Sequence, residues 1–379
     1  METTTLRPTI LYLAMELSNS KWKLFFSNGE KIRSKTISAR DLDGLDKEIR
    51  GAKQRLKLAE DAPVLSCYEA GRDGFWIHRH LTGLGVDSLV VDAGSIEVDR
   101  RMRRAKTDRI DGKTLLRKLI SYSAGDEQVW SVVRVPSREE EDLRRVHREL
   151  ERLKKERGGH RNRIGSLLVL HGVAVVNWRG FLQWLEQVRC FDGQPIPAEI
   201  RSELEREYER LQLVEQQIKG IEKRQRDEVS AMETEQMRKV AMLMMLNGIG
   251  ERSSWVFVME FFGWRQFSNR SELGAAAGLC PTPYASGAMD RQLGISKGGN
   301  HRVRSLAIEI AWCWMRYQPR SKLTRWYQER YAGGGKRMRR IGIVAVARGL
   351  LIAVWRFLEH GTIPEGAQYN AELMKLLAN

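Results

Sequence analysis

Cysteine and histidine are scarce in this chain, with four Cys and seven His among 379 residues. Cys67, Cys190, Cys280 and Cys313 lie far apart, and no C-x-x-C or Cys/His cluster with zinc spacing occurs. Zinc chemistry therefore has no support, and isolated cysteines of this kind are expected to be reduced and structural in a cytosolic protein. The opening METTTLRPTILYLAM lacks the ordered charged, apolar and small-residue segments of a signal peptide, so none is expected. Long apolar runs are missing too. The most apolar late stretch, IGIVAVARGLLIAVW (341–355), contains Arg348 and is too short to span a bilayer, so a core helix is expected there. Acid is the scarcer charge, with 48 Asp plus Glu against 64 Lys plus Arg and a net charge of +16. That balance favours a polyanionic partner, nucleic acid ahead of a membrane surface. The length allows two or three domains with real cores.

What is present begins as α/β. ILYLAMEL is a short apolar run ending near a carboxylate, and KWKLFFSNGEKIRSKTIS is two strand-like runs around Asn28-Gly29, a strong hairpin signal. A helical stretch (41–59) follows, then the strand candidate PVLSCYEA (63–70), a helix in GFWIHRHLTGLG, and the strand DSLVVDA (87–93). A hairpin followed by alternating strands and helices predicts a mixed sheet with helices on its faces.

From Ser137 the sequence turns charged and helical. Leu143, Val146, Leu150 and Leu153 alternate spacings of three and four, and Leu211, Val214, Ile218 and Ile221 repeat that rhythm. Two long helices with a coiled-coil seam are expected, closing either within the chain or between two chains. The last third is mostly helical except for LCPTPYASGAMDRQLGISKGGNHR (279–302), whose Gly, Pro and Ser content predicts a long loop. Between Arg291 and Arg340 stand 13 Lys/Arg against only Glu309 and Glu329, so the polyanion contact is expected here. SKGGN (296–300) opens a basic helix suited to phosphate. GGGKRMRR (333–340) reads as a mobile phosphate-binding segment, GIG (248–250) as an interhelix turn whose amides could meet phosphate, and Trp312, Trp314, Trp326 and Tyr327 as core ahead of base stacking.

Carboxylates supply the candidate chemistry. AKTDRIDGKTL (105–115) places Asp108 and Asp111 three apart, the only two acids among nine Lys/Arg between Arg100 and Lys118. On a helix the two share a face. They are either surface pairs or part of a site for hard cations such as Mg²⁺, which take carboxylate oxygens and clamp reacting phosphates. Glu16 and Glu69, at the ends of apolar strands, are the candidates to complete it, since a buried carboxylate is costly unless paired or coordinated.

The strand carrying Glu16, the strand ending in Glu69 and the KTDxxD segment together resemble the DEDD transposases of the insertion-sequence "one-ten" family. GIGERSSWVFVMEF (248–261), GLCPTPYASG (278–287) and ISKGGNHRVRSL (295–306) resemble that family's C-terminal domain, in family order over nearly the whole chain. The resemblance implies α/β plus α: an RNase H-like (RuvC-like) mixed-sheet domain (1–130), a coiled-coil helical linker (137–232), a mostly helical C-terminal transposase domain (237–365) and a tail (366–379). It implies Mg²⁺ bound by Glu16, Glu69, Asp108 and Asp111. Ala14-Met15-Glu16 stands where the family usually has Gly-Ile-Asp, keeping the charge but adding a methylene.

By itself a Ser-Gly pair reads as a turn. The resemblance makes Ser286 of YASG the nucleophile that becomes joined to DNA phosphate. Arg104, Lys106, Lys297, Asn300, Arg302, Arg304, Lys336 and Arg337 are the expected nucleic-acid contacts. The expectation is a cytoplasmic, nucleoid-associated recombinase acting on donor and target DNA as a dimer or tetramer, guided by a structured RNA, with no membrane partner. The alternatives are a metal-only nuclease or junction resolvase, a site-specific DNA invertase, and a non-catalytic nucleic-acid-binding protein.

Overall fold

The computed structural model describes residues 10–96, 108–286 and 289–370, without the side chains of 108–111, 283–286 and 289–293. The chain divides into two compact units, Met1–Pro136 and Ser137–Asn379. The regions expected at 137–232 and 237–365 share the second.

The first unit is built on β1 (Leu11–Leu17), β2 (Lys21–Ser27), β3 (Ile32–Ser38), β4 (Val64–Glu69) and β5 (Asp87–Val91), in spatial order β3-β2-β1-β4-β5. The three leading strands are antiparallel, and β4 and β5 run parallel to β1. Because side chains alternate across a strand, β1 feeds both faces. Leu11, Leu13 and Met15 pack with Leu45 and Ile49 of α1 (Leu42–Arg55) and Ile77 and Leu81 of α2 (Trp76–Gly83). Ala14, with Phe25 of β2 and Cys67 of β4, faces Leu115, Leu116 and Leu119 of α3 (Asp108–Ser123). The two-sided burial explains the near-continuous apolar runs of β1 and β4; polar IRSKTIS forms the edge.

The Asn28-Gly29 hairpin forms, but its loop is four residues long, since Ser27 pairs with Ile32. Gly29 takes φ +94°, and the Asn28 Oδ1 accepts hydrogen bonds from the Glu30 and Lys31 N–H groups at 3.2 and 3.0 Å. Asn28 therefore acts as a local cap rather than as half of a two-residue turn.

In the second unit α4 (Arg138–Val169) and α6 (Ala198–Ala231), separated by α5 (Phe181–Gln187), pair along the expected seam. Leu150 and Leu153 meet Val214 and Ile218, and Ile164 and Leu167 meet Leu204 and Leu211. Ser137 starts α4 with a capping box to Glu140. The seam thus closes within one chain.

The remaining helices are α7 (Glu235–Met244), α8 (Glu251–Phe257) with a π turn at Val258–Phe262, α9 (Arg270–Ala277), α10 (His301–Tyr317), α11 (Lys322–Tyr327) and α12 (Lys336–His360). At 25 residues α12 has the length and apolarity to cross a membrane, unlike the shorter span expected, yet only half of its apolar window is buried within the unit. Its Ile343, Val346, Leu350 and Val354 join one core with Trp255, Phe257, Phe261 and Trp314.

Two expectations are corrected. The segment 279–302 is not a structureless loop: β6 (Pro281–Ser286) and β7 (Met289–Ile295) form an antiparallel hairpin. Prolines that rule out a central strand are tolerated in a two-stranded ribbon, whose outer edges have no ladder to break. Nor is GGGKRMRR an irregular mobile segment. Gly335 caps α12, and Lys336 onward is helix. The expected tail (366–379) begins docked, with the Asn370 N–H bonded to Met245 O and Gln368 N–H to Gln318 Oε1; residues 371–379 lie outside the described residues.

Candidate functional site

Met15 and Tyr68 are partners across the parallel β1/β4 ladder, so Glu16 and Glu69 follow side by side where the two strands end. Both are two residues beyond Ala14 and Cys67, hence on the sheet face that α3 covers. They line one pocket of about 370 Å³ with Ser18, Asn19, Arg72 and Asp73. Glu16 is half-buried and Glu69 exposed, so the cost of burial that singled them out applies to the first only. Burial, and then the nearby Glu69 charge, push the Cys67 thiol well above its ordinary range, leaving it a neutral core side chain.

The backbone of α3 points the same way. Gly112 sits so close to the Phe25 ring that an added Cβ would lie 2.1 Å from it, and Phe25 is the ladder partner of Ala14. At the helix's other end Ser123 Oγ lies 3.3 Å from the Tyr12 hydroxyl. The helix therefore runs antiparallel to β1, and its first turn, Asp108 to Asp111, starts toward the Glu16 and Glu69 end. The side chains of Asp108 and Asp111 lie outside the described residues, as do Arg104 and Lys106. Among the described residues no group of three or more metal-type side chains forms. An all-carboxylate donor set without His or Cys fits a hard cation such as Mg²⁺.

Ser286 is the last residue of β6, its backbone paired with Met289; its side chain lies outside the described residues. The hairpin's foot is tightly determined. Ser296 N–H bonds Cys280 O, Lys297 N–H bonds Gly278 O, and Asn300 N–H bonds Ala276 O, at 2.9, 3.2 and 2.8 Å. Gly278 has φ +68°, and a Cβ there would meet Gly298 O at 1.9 Å, so only glycine fits.

The basic residues expected to meet phosphate divide into two sets. Arg304 donates to Ala277 O and Gly298 O at 3.2 and 2.7 Å, and Asn300 caps α10 by accepting from the Arg302 and Val303 N–H groups. Arg302 pairs with Glu151. Arg304 and Asn300 hold the hairpin's foot together, while Arg302 ties α10 to α4. Lys297, Lys336 and Arg337 are exposed and open to a partner. Of the aromatics, Trp314 and Tyr327 are core, with Trp314 Nε1 donating to Ser321 Oγ, whereas Trp312 is exposed. GIG is a turn between α7 and α8, with Ile249 buried.

Sequence reasoning missed Glu260, in the π turn after α8, which is 1% exposed. It accepts from His147 Nε2 at 2.9 Å, from Arg148 Nε and Nη2 at 2.6 and 2.8 Å, and from Asn300 Nδ2 at 3.4 Å. Burial alone would raise this carboxyl, but the bonds from His147 and Arg148 and their charges hold it down to about 2. The signal was a lone acid in the apolar run WVFVMEFF, the same argument used for Glu16 and better deserved here.

Residues 240–325, which span α8, Glu260, the hairpin and α10, match the family model described as "Transposase IS116/IS110/IS902 family". Two proteins of Sinorhizobium fredii named as putative transposases are similar. One (y4rJ) is 40% identical, covering 94% of each chain. The other (y4qE) is 28% identical over 74% of this chain and 65% of its own. The transposase for insertion sequence element IS1328 of Yersinia enterocolitica is 21% identical over 81% of this chain and 87% of its own.

Proposed function

The chain belongs to the IS116/IS110/IS902 family of transposases, enzymes that cleave and rejoin DNA, and we propose that it does so through Ser286 and a four-carboxylate Mg²⁺ site. The observation that carries this reading is the adjacency of Glu16 and Glu69 at the strand ends, on the sheet face that α3 covers and toward the end where its first turn starts. The strand order β3-β2-β1-β4-β5, antiparallel then parallel, supports an RNase H-like, RuvC-like assignment of the first unit.

In this mechanism the Ser286 Oγ attacks the phosphorus of a DNA phosphodiester. A phosphoserine ester forms as the bond to the leaving DNA oxygen breaks, the hydroxyl proton passing to a nearby base. The ester conserves the phosphodiester linkage, so attack by a new DNA hydroxyl reseals a strand without an external energy source. Mg²⁺ held by Glu16, Glu69, Asp108 and Asp111 would supply positive charge against the phosphate oxygens. The exposed Lys297, Lys336 and Arg337 guide the backbone electrostatically. The acting species is a dimer or tetramer in the bacterial cytoplasm, directed by a structured RNA that pairs with donor and target DNA.

A denaturing gel tests this. Labelled element-end DNA is incubated with protein, its co-purified RNA and Mg²⁺, with Ser286→Ala and Asp108→Ala alongside. A protein–DNA adduct that survives denaturant with the wild type alone is the expected result. The pairing of Glu16 and Glu69 is also what a metal-only nuclease needs. Cleavage without adduct, indifferent to Ser286→Ala, would establish that second reading instead.

A further inference from the structure

The second unit contains a cleft of about 1000 Å³ that the reaction above does not use. One wall is α4, presenting Arg148, Arg152 and Lys155; the other is formed by α8 and α10, presenting Arg252 and Arg302 over a floor of Val256 and Leu306. We propose that this cleft seats the sugar-phosphate backbone of a DNA duplex, without reading its sequence. The inference rests on DNA being the partner and adds where a part of it is held.

Three observations carry it. The lining holds seven Lys/Arg against two acids, and both acids are already engaged, Glu151 by Arg302 and Glu309 by Arg252 at 3.7 Å. Lys155 and Arg157 have no carboxylate within ion-pair distance among the described residues, and Arg152 pairs only with Glu149 and Glu156 of its own helix. Such exposed pairs are weak enough to yield to phosphate. Second, Arg148, Arg152 and Lys155 recur along one helix face over seven residues, about 10 Å at 1.5 Å per residue. That is about three base-pair rises of 3.4 Å measured along a duplex axis. Third, the lining has no Phe, Tyr, Trp, Asn or Gln. The large aromatic faces that serve as stacking platforms for single strands, and the amide side chains that read adenine, are thereby missing from it. Arg148 is fixed in advance by its two bonds to Glu260, so less side-chain freedom is lost when phosphate arrives.

The test compares two full-length variants of equal charge. One carries Arg152→Gln, Lys155→Gln and Arg157→Gln in the cleft. The other carries Lys219→Gln, Lys223→Gln and Arg226→Gln, all exposed on α6. Binding to a DNA duplex of unrelated sequence, and to an RNA duplex of the same sequence, is measured across salt. The cleft variant should bind DNA at least tenfold more weakly at about 150 mM salt, and its slope of log K against log salt should fall by about 3. The α6 variant should change DNA affinity less than threefold. Equal behaviour of the two variants, or a loss confined to RNA, overturns the proposal. Absence of DNA binding by the wild type would overturn the DNA reading itself. Should the triple variant melt early, Lys155→Glu alone carries the same comparison.

Discussion

Arg148 donates two hydrogen bonds, at 2.6 and 2.8 Å, to the carboxylate of Glu260, 112 residues away in sequence. With His147 and Asn300 this pair joins the long helix α4 to the cap of α10, directly after the hairpin that ends β6 at Ser286. Glu260→Ala would leave Arg148 and His147 without their buried counter-charge. It should cost about 3–5 kcal/mol of stability in urea unfolding, with loss of DNA cleavage. An unfolding midpoint equal to that of the wild type would remove the carboxylate from the account.

The same group predicts a pH dependence. Its carboxyl titrates near 2 in the folded chain, below the ordinary value of 4.5. A depressed carboxyl contributes stability that is present above the unfolded value and lost as pH falls through the folded one. The unfolding free energy of the wild type minus that of Glu260→Gln should therefore shrink between about pH 4.5 and 2, by at most roughly 3 kcal/mol. A difference flat across that window contradicts the assignment.

Glu16→Gln and Glu69→Gln should each lower Mg²⁺-dependent cleavage by at least about 100-fold, following the role of ligands in such sites. Thermal melts without metal should stay level or rise, because two neighbouring carboxylates repel. Glu16→Asp should retain cleavage at a shifted Mg²⁺ requirement. Full cleavage by both amides would show that these acids hold no metal.

Gly112→Val tests the seating of α3. A Cβ there meets the Phe25 ring at 2.1 Å, so the helix must lift from the sheet. Such overpacking costs about 1–3 kcal/mol and displaces Asp111 next door. Cleavage should fall while DNA binding persists, measured on one preparation. Unchanged cleavage would separate α3 from the site.

The sheet was legible in the sequence because all its strands but polar β3 are apolar runs bounded by turns, β3 being announced by the Asn28-Gly29 hairpin, and its two faces follow from alternation. The long helices showed in the spacing of Leu150, Leu153, Val214 and Ile218, although spacing cannot say whether a seam closes within one chain. The β6–β7 hairpin was hidden because its Gly and Pro read as loop and its sequence shows no apolar alternation. Arg304 read as a phosphate contact because charge is visible in sequence, whereas its partners Ala277 O and Gly298 O become neighbours only on folding. Glu260 escaped for the same reason, its donors lying on α4 and at the cap of α10.

The most direct measurement is mass spectrometry of the protein after reaction with DNA and nuclease digestion. Trypsin should release the peptide Ser271–Arg291, which holds Ser286 and no internal Lys or Arg. The account predicts this peptide carrying a nucleotide phosphate on Ser286, absent from Asp108→Ala. Cleaved DNA accompanied only by the unmodified peptide, or a nucleotide on another residue, would contradict it.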